Sequence, residues 1–405
     1  MAKKEWQMEH LMKKCILFLM SDTGGGHRAA AQAIEEATHY LYPNMFDILI
    51  EDIWKRRTPW PINKIPNSYA WLTGPGLPVW KFMWSSSALL KAHKLVLPSI
   101  SPVIERKAVR YLKLVQPDIV VSVHPFMNHL GLKWLQGAEL DIPFVTVVTD
   151  MVTIHPLWIC PKVTRCLVST EAARDYVIKG GMAPGQVEIC GQPIGLQFTK
   201  IVKDKKSVRQ KLGLDPNRPA VMIMSGGEGF GRVYDIARAV ARGVPQAQLL
   251  IISGRNKPLK AQLEAANWEI PTRIYGFVCN VPELMGAADI LITKAGPGTM
   301  SEAFVAGLPI IVFGYIPWQE WGNVTYVQEH RAGAYSQTPQ EIAELVLRWL
   351  DPENDLLQKM AVNASKLARP NASLMIAEKI CSLIRDNCPG QQRYLAAPKS
   401  RRVSV

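Results

Sequence analysis

Apolar residues in this chain gather in short uninterrupted blocks, most of them followed by a loop and a stretch with apolar residues at helical spacing. Blocks of about four to eight apolar residues between turns read as strands covered on both faces, the pattern of parallel sheets. In the first half this predicts strands at Lys14–Met20, Phe46–Ile50, Asp118–Val123, Phe144–Thr149 and Arg165–Val168, with a helix at Ala29–Leu41 behind the first. The short strand Glu188–Cys190 and the turn Gly191-Gln192-Pro193-Ile194-Gly195 close that half. The charged stretch Lys200–Lys211 reads as a linker running into a short helix, after which the pattern restarts. Strands at Ala220–Met224, Gln248–Ser253, Arg273–Gly276, Ile290–Thr293 and Pro309–Phe313 alternate with helices at Val233–Gly243, Pro258–Ala266, Val281–Ala287 and Thr299–Ala306. A last long helix is predicted over Ala372–Arg385.

Two successive runs of strand–loop–helix units predict an α/β chain of two doubly wound, Rossmann-like domains. The expected boundaries are 1–199, 200–371, and a C-terminal part, 372–405, whose helix packs back towards the first domain before a basic tail. A chain of 405 residues fits two domains of about 100–200 residues each. No stretch reaches the roughly 18–20 apolar residues of a membrane-spanning helix, and Cys15–Met20 is too short for a secretory segment. Seven irregularly spaced cysteines give neither a disulfide framework nor a zinc pattern, which fits a reducing, cytosol-facing compartment.

Charge changes the picture. The net charge of +13 calls for an anionic partner, and the absence of any helix-turn-helix, zinc-finger or RNA-binding signature speaks against nucleic acid. From Ile53 to Ile104 there is no acidic residue, while Lys55, Arg56, Arg57, Lys64, Lys81, Lys91 and Lys94 are basic. Trp54, Trp60, Trp71, Trp80 and Trp84 share that stretch. Tryptophan with lysine and arginine suits an anionic lipid bilayer surface, where rings sit at headgroup depth and cations meet phosphate. The other reading of the same residues is a Pro-rich segment whose tryptophans fill a core.

Four loops carry candidate chemistry, each following the C-terminal end of a predicted strand, where doubly wound sheets bind ligands. In Ser21-Asp22-Thr23-Gly24-Gly25-Gly26-His27-Arg28, glycines let a ligand approach the backbone, and a neutral His27 can take a proton from a hydroxyl. A histidine that merely caps or packs there is the alternative. The loop Ser225-Gly226-Gly227-Glu228-Gly229-Phe230-Gly231-Arg232 suits a diphosphate held on helix N–H groups, with Arg232 adding a charge-assisted contact, or else is an ordinary turn. In Lys294-Ala295-Gly296-Pro297-Gly298-Thr299-Met300-Ser301-Glu302, the helix start can hold phosphate and Glu302 can accept both hydroxyls of a ribose, unless it is a solvated first-turn glutamate. Pro317-Trp318-Gln319-Glu320-Trp321-Gly322-Asn323 offers Gln319, Glu320 and Asn323 to sugar hydroxyls and two rings for stacking. No Asp-x-Asp, His-Glu-x-x-His or Cys/His cluster appears, so no metal and no cofactor is expected; Walker A and Gly-x-Ser-x-Gly motifs are also absent.

Ser21–Arg28 with the following Ala29-Ala30-Ala31-Gln32-Ala33-Ile34, together with Gly226–Arg232, Lys294–Gly307 and Gln319-Glu320-x-Gly322-Asn323, resembles the monogalactosyldiacylglycerol synthase family. The bacterial processive diacylglycerol glucosyltransferases are similar too, and the lipid II-forming peptidoglycan glycosyltransferase more distantly so; all belong with glycosyltransferase family 28. The resemblance spans about Lys14 to Arg385 and implies a GT-B fold, two Rossmann-like domains facing a cleft. It implies an inverting, metal-independent transfer of hexose from a UDP-sugar to the 3-hydroxyl of 1,2-diacylglycerol, on the cytoplasmic face of a bacterial plasma membrane or a thylakoid. Under it, His27 matches the general base and Gly276, Phe277 and Val278 look like the loop whose backbone holds uracil. Glu302 matches the ribose glutamate, and Gln319, Glu320 and Asn323 match contacts to donor sugar or diphosphate. The diphosphate loops are then Gly226, Gly227, Gly229, Phe230, Gly231 and Arg232, with Gly296, Gly298 and Thr299. Asp22, Gly25, Gly26, His124, Asp150 and His155 line the acceptor side. Trp318 and Trp321 stand where small residues are expected in the plant galactosyltransferases, so galactose and glucose both stay open as donor sugars. No long plastid transit region precedes the first strand, which points to a bacterial or cyanobacterial form. A transferase with a polyprenyl-linked or soluble acceptor, and a non-catalytic lipid- or nucleotide-binding protein, are the competing readings; oligomeric state is not legible.

Overall fold

Strand β1 (Lys14–Met20) is buried from Ile16 through Met20, which puts it inside a sheet rather than at its rim. In the computed structural model the described residues are 13–386, apart from 23–24, 58–59, 61–62, 65–67, 69–70, 72–75, 83–95, 203 and 230. Two units are present: one runs up to Gly195 and resumes at Asn371, and the other is Leu196–Pro370.

In the first unit β1 is followed by α1 (Gly26–Leu41), β2 (Phe46–Asp52), α2 (Ile53–Arg57), α3 (Val96–Val115), β3 (Ile119–Ser122), α4 (Pro125–Ala138), β4 (Phe144–Val147), β5 (Arg165–Val168), α5 (Glu171–Lys179) and β6 (Val187–Ile189). The six strands are parallel in the order β2-β1-β3-β4-β5-β6. One core joins Leu17, Leu19, Val120, Phe144, Trp134 and Trp158. Each fully buried side chain of that size contributes roughly 1.5–3 kcal/mol.

The second unit repeats the plan with α6 (Lys205–Lys211), β7 (Ala220–Met224), α7 (Val233–Gly243), β8 (Gln248–Ile252), α8 (Lys257–Glu264), β9 (Thr272–Tyr275), α9 (Val281–Ala287), β10 (Ile290–Lys294), α10 (Pro297–Ala306), β11 (Ile310–Gly314), α11 (Trp321–Glu329), β12 (Gly333–Tyr335), α12 (Pro339–Trp349) and α13 (Leu356–Lys366). Its six strands are also parallel, in the order β12-β11-β10-β7-β8-β9, over a core that includes Ile223, Val240, Leu249, Ile311 and Trp349. The last helix, α14 (Ala372–Asp386), belongs to the first unit: Ser373 Oγ donates to the Ile194 carbonyl at 2.6 Å, and Lys379 pairs with Glu188 at 2.6 Å.

Two differences from the sequence reading bear on the site. Helix α1 starts at Gly26 rather than Ala29, because Gly25, at φ 78°, turns the chain into the helix and brings His27 into its first turn. Strand β12 was not expected, since Gly-Ala-Tyr is too short to register as an apolar block; a Cβ on Gly333 would lie 1.9 Å from the Ile310 carbonyl oxygen, so only glycine pairs there. Helices α2, α3, α4, α5, α11, α12 and α13 were not expected either; α4 hides its start in the dipeptide His124-Pro125, with proline in its first turn.

Candidate functional site

Strand order turns back at the first strand of each sheet, so β1 and β3 are neighbours, as are β7 and β10. The loops leaving such a pair diverge to opposite faces and open a crevice at the sheet's C-terminal edge. Each unit has one such reversal, and the loops after β1, β3, β7 and β10 carry candidate residues.

In the first unit, His27 near the start of α1 and His124 just before α4 place their rings 4.6 Å apart at 60°. Thr149, just past β4, brings Oγ1 to 3.0 Å from His27 Nδ1. Burial drives the His27 pKa down to about 4, against the smaller opposing effects of a Val123 backbone hydrogen bond and the Asp22 charge. Burial, and then His27 itself, lowers His124 well below the usual imidazole value. Both rings are therefore neutral at neutral pH, the form that accepts a proton. Among the described residues, a Cβ built on Gly25 or Gly26 meets nothing within 4 Å, which leaves the backbone beside His27 open to a ligand.

The other residues expected on the acceptor side hold the site up. Arg28 grips both Asp22 oxygens at 2.8 and 2.7 Å, and that hydrogen bonding lowers the Asp22 pKa. Asp150 accepts from the buried Trp158 indole at 2.7 Å; a buried indole N–H needs such an acceptor. His155 Nδ1 accepts from the Leu157 amide at 3.1 Å, which caps the turn Pro156–Trp158, and burial lowers its pKa to about 4.

In the second unit the glycine loop after β7 is pinned onto the loop after β8. The Arg255 amide donates to the Gly227 carbonyl at 2.8 Å and Asn256 Nδ2 to the Gly229 carbonyl at 3.0 Å. The approach is so close that a Cβ on Gly229 would lie 2.0 Å from the Ser253 carbonyl oxygen. Arg232, closing this loop, pairs with Asp235 at 3.1 Å, and Phe230 lies outside the described residues. Two cations lie beside the loop: Arg255, with Nη1 3.1 Å from a Cβ built on Gly227 and 2.9 Å from Glu228, and Lys294, ending β10, with its Cε 3.8 Å from a Cβ built on Gly226 and its Nζ 3.3 Å from one built on Gly296. Lys294 Nζ donates to the buried Glu320 at 2.8 Å, and the second Glu320 oxygen accepts from the Ile316 amide at 2.8 Å. Asn323 is buried and donates to the Ala295 carbonyl at 2.9 Å, whereas Gln319 is only half-buried. Glu320 and Asn323, expected at sugar hydroxyls, thus secure the β10–α10 loop.

Glu302, in the second turn of α10, has its pKa pushed up to about 7 by burial. Gly298 and Thr299 open the same helix, with open space above Gly298. Past β9, Gly276, Phe277 and Val278 follow in order, and the exposed Phe277 ring has the Arg255 guanidinium 4.2 Å from its centroid.

The acid-free segment divides. Trp60 and Trp71 are exposed (78% and 53%), as are Lys55 and Arg56, and Phe82 adds a ring the sequence reading did not single out. Trp54 is a correction: it packs against the first unit's core, because its place in α2 turns it inward. Trp80 is half-buried; Trp84 and the Arg57 side chain lie outside the described residues. Among the described residues no helix is long and apolar enough to cross a membrane, and no group of His, Cys, Asp or Glu is placed to hold a metal.

The profile of monogalactosyldiacylglycerol (MGDG) synthase matches residues 27–194, and that of the glycosyltransferase family 28 C-terminal domain matches 220–380. The chloroplastic monogalactosyldiacylglycerol synthase of Spinacia oleracea is 42% identical over 393 residues, 95% of this chain and 75% of that protein. This chain belongs to the monogalactosyldiacylglycerol synthase family. Arabidopsis thaliana monogalactosyldiacylglycerol synthase 1, also chloroplastic, is 42% identical over 92% of this chain and 71% of its own length. Among solved structures, MurG of Acinetobacter baumannii has TM-score 0.58 at 16% identity, covering 91% of this chain and 99% of that one. HepE of Anabaena in complex with UDP-glucose has TM-score 0.51 at 15% identity, covering 94% and 100%. These two share the GT-B fold with the synthase family chain described here. What sequence reasoning missed in this family member is Arg255, and Lys294 in its own right. Lys294 had a legible signal, a lysine at the end of an otherwise apolar strand, and Arg255 had none; Thr149 belongs to the family-like motif Thr149-Asp150, whose aspartate was expected on the acceptor side.

Proposed function

We propose that this glycosyltransferase moves a hexose, galactose or glucose, from a UDP-sugar to the 3-hydroxyl of 1,2-diacylglycerol, with inversion and without a metal. The carrying observation is His27: a neutral imidazole in a helix's first turn, oriented by Thr149 and flanked by open glycine backbone. His27 takes the proton of the acceptor hydroxyl as its oxygen bonds to the sugar C1 on the face opposite the diphosphate. The C1–O bond to the diphosphate breaks, and its electron pair leaves on the UDP β-phosphate. Family membership supports diacylglycerol as acceptor, since the relatives carry that lipid in their names. Metal independence rests on the missing Asp-x-Asp and on the two glycine-bearing helix starts at the β7–β10 crevice. Glu302 accepts the ribose hydroxyls and Gly276–Val278 meets uracil. Exposed Trp60, Trp71 and Phe82 with Lys55 and Arg56 fit a peripheral place on an anionic bilayer, at the cytoplasmic face of a plasma membrane or a thylakoid.

The test is incubation with diacylglycerol vesicles and labelled UDP-galactose or UDP-glucose in parallel, with and without EDTA. A glycosyldiacylglycerol formed equally in EDTA is the expected result. Product from a polyprenyl-linked or soluble acceptor alone would overturn the acceptor assignment, and turnover restored only by magnesium or manganese would overturn the metal-free mechanism.

A further inference from the structure

Lys294 stands at the point where the two phosphate-sized glycine loops of the second unit meet. Its Cε lies 3.8 Å from a Cβ built on Gly226 and its Nζ 3.3 Å from one built on Gly296, so a side chain at Gly296 would crowd the ammonium group. Glu320 holds it from behind: the carboxylate is buried, with 5% of its side chain exposed, and accepts at 2.8 Å, while Lys294 keeps 32% of its side chain exposed. An ammonium group has three donors, and the Glu320 contact uses one.

Neighbouring polar atoms also lack partners. Ser225 Oγ, Thr293 Oγ1 and Asn323 Oδ1 are buried and find no hydrogen bond among the described residues. Thr293 precedes Lys294, Ser225 follows the adjoining strand β7, and Asn323 is bonded to the Ala295 carbonyl. Buried polar atoms are otherwise almost always paired, so three at one sheet edge point to a polar ligand that completes them.

We propose that Lys294 is the cation that meets the diphosphate of the nucleotide, and that Glu320 positions it rather than reading the sugar. The inference rests on the proposed UDP-sugar chemistry and deepens it. When the C1–O bond breaks, the negative charge that gathers on the β-phosphate meets a fixed ammonium group. A buried carboxylate partner keeps the lysine in place before the nucleotide arrives, so little rearrangement accompanies the step. Arg232 is paired with Asp235.

The experiment is calorimetry of the full chain with UDP and with uridine, at low and high salt, for wild type, Lys294→Gln, Lys294→Arg and Glu320→Gln. Lys294→Gln is expected to lose UDP affinity about ten- to a hundred-fold, the scale of a lost charge-assisted contact, with uridine affinity unchanged. It should also flatten the salt dependence of UDP binding, as the loss of one partly exposed charge requires. Lys294→Arg should keep UDP affinity within several-fold, and Glu320→Gln should weaken UDP but not uridine. UDP affinity unchanged in Lys294→Gln overturns the assignment. So does an equal loss of UDP and uridine, and if Lys294→Gln does not fold, UDP binding by Lys294→Arg no better than uridine binding does the same. A wild-type chain that binds no UDP at all would instead remove the proposed function itself.

Discussion

Thr149 Oγ1 lies 3.0 Å from His27 Nδ1, and the two residues come from loops after different strands of one sheet. A hydroxyl neighbour orients the ring without the charge that would raise its pKa, in contrast to a carboxylate. The carboxylate next to Thr149 in sequence, Asp150, is bonded to the Trp158 indole.

His27→Ala should leave UDP binding intact and lower turnover about a hundred-fold or more, the scale of a positioned general base. Thr149→Val should lower kcat about ten-fold with KM little changed, while Thr149→Ser retains most activity. The base works in its neutral form, so activity on the acid side should hold until pH falls through about 4, the His27 value. Thr149→Asp should move that acid limb upward, because a carboxylate favours the imidazolium. An acid limb unmoved by Thr149→Asp would separate the two residues functionally.

Acid should also unfold the first unit. His27 and His155 each have pKa values lowered by burial from the ordinary 6.5 to about 4. A group whose folded pKa is depressed takes up protons more readily when unfolded, so its neutral form supports the fold above pH 6.5. That support is lost as pH falls from 6.5 towards 4. Every ten-fold difference in proton affinity between the folded and unfolded chain corresponds to about 1.4 kcal/mol, so thermal stability should drop steeply across this window. His155→Asn, which keeps a capping acceptor for the Leu157 amide, should make the drop shallower. An unchanged slope in that variant would assign the acid sensitivity elsewhere.

The alternation of apolar blocks and loops made both sheets legible, because parallel strands buried on both faces need unbroken apolar runs, as at Ala220–Met224. It could not show strand β12, whose Gly-Ala-Tyr pairs through backbone alone. Glycine runs likewise marked the candidate loops after β1 and β7. Hydrogen-bond partners were not legible: nothing local tells that Glu320 turns back to Lys294, 26 positions earlier, or that Trp158 claims Asp150. Trp54 shows the same limit, since residue type suits interface and core alike and only the helix it sits on decides.

UDP binding should be linked to protons through Glu302. Burial raises its carboxyl to about 7 in the unliganded chain. Two ribose hydroxyls donating to the carboxylate favour the charged form, so binding near pH 7 should release a proton. Calorimetry in buffers of different ionisation enthalpy measures that release directly. Affinity should fall below pH 7, by at most about ten-fold for each step of one in pH. Glu302→Gln, which does not titrate, should remove both the proton release and the pH dependence and weaken UDP about ten- to a hundred-fold. Proton release that survives in Glu302→Gln would take the ribose role from this residue.

At the segment proposed to meet the bilayer, the structure sharpens which residues to change. Arg56 pairs at 3.4 Å with Glu51, whose side chain is only 4% exposed, so removing it would disturb the fold as well as the surface. Asp52 is bonded through one oxygen to the Lys55 amide and through the other to the Asp22 amide, which ties helix α2 to the loop that carries His27. The informative changes therefore leave Glu51, Asp52 and Arg56 alone. Lys55→Ser with Arg57→Ser should weaken binding to phosphatidylglycerol vesicles about ten- to thirty-fold, at about 1 kcal/mol per basic residue near an anionic surface. That loss should shrink in high salt, because exposed charges are screened over about 8–10 Å. Trp60→Ser with Trp71→Ser should weaken binding at every salt concentration, since the two exposed rings act through apolar burial. Activity on a short-chain, soluble diacylglycerol should be nearly untouched by either pair, because neither changes His27 or the glycine loops. If both pairs lost soluble-acceptor activity as fully as bilayer activity, the segment would be a structural part of the first unit and the bilayer would have to meet the enzyme elsewhere.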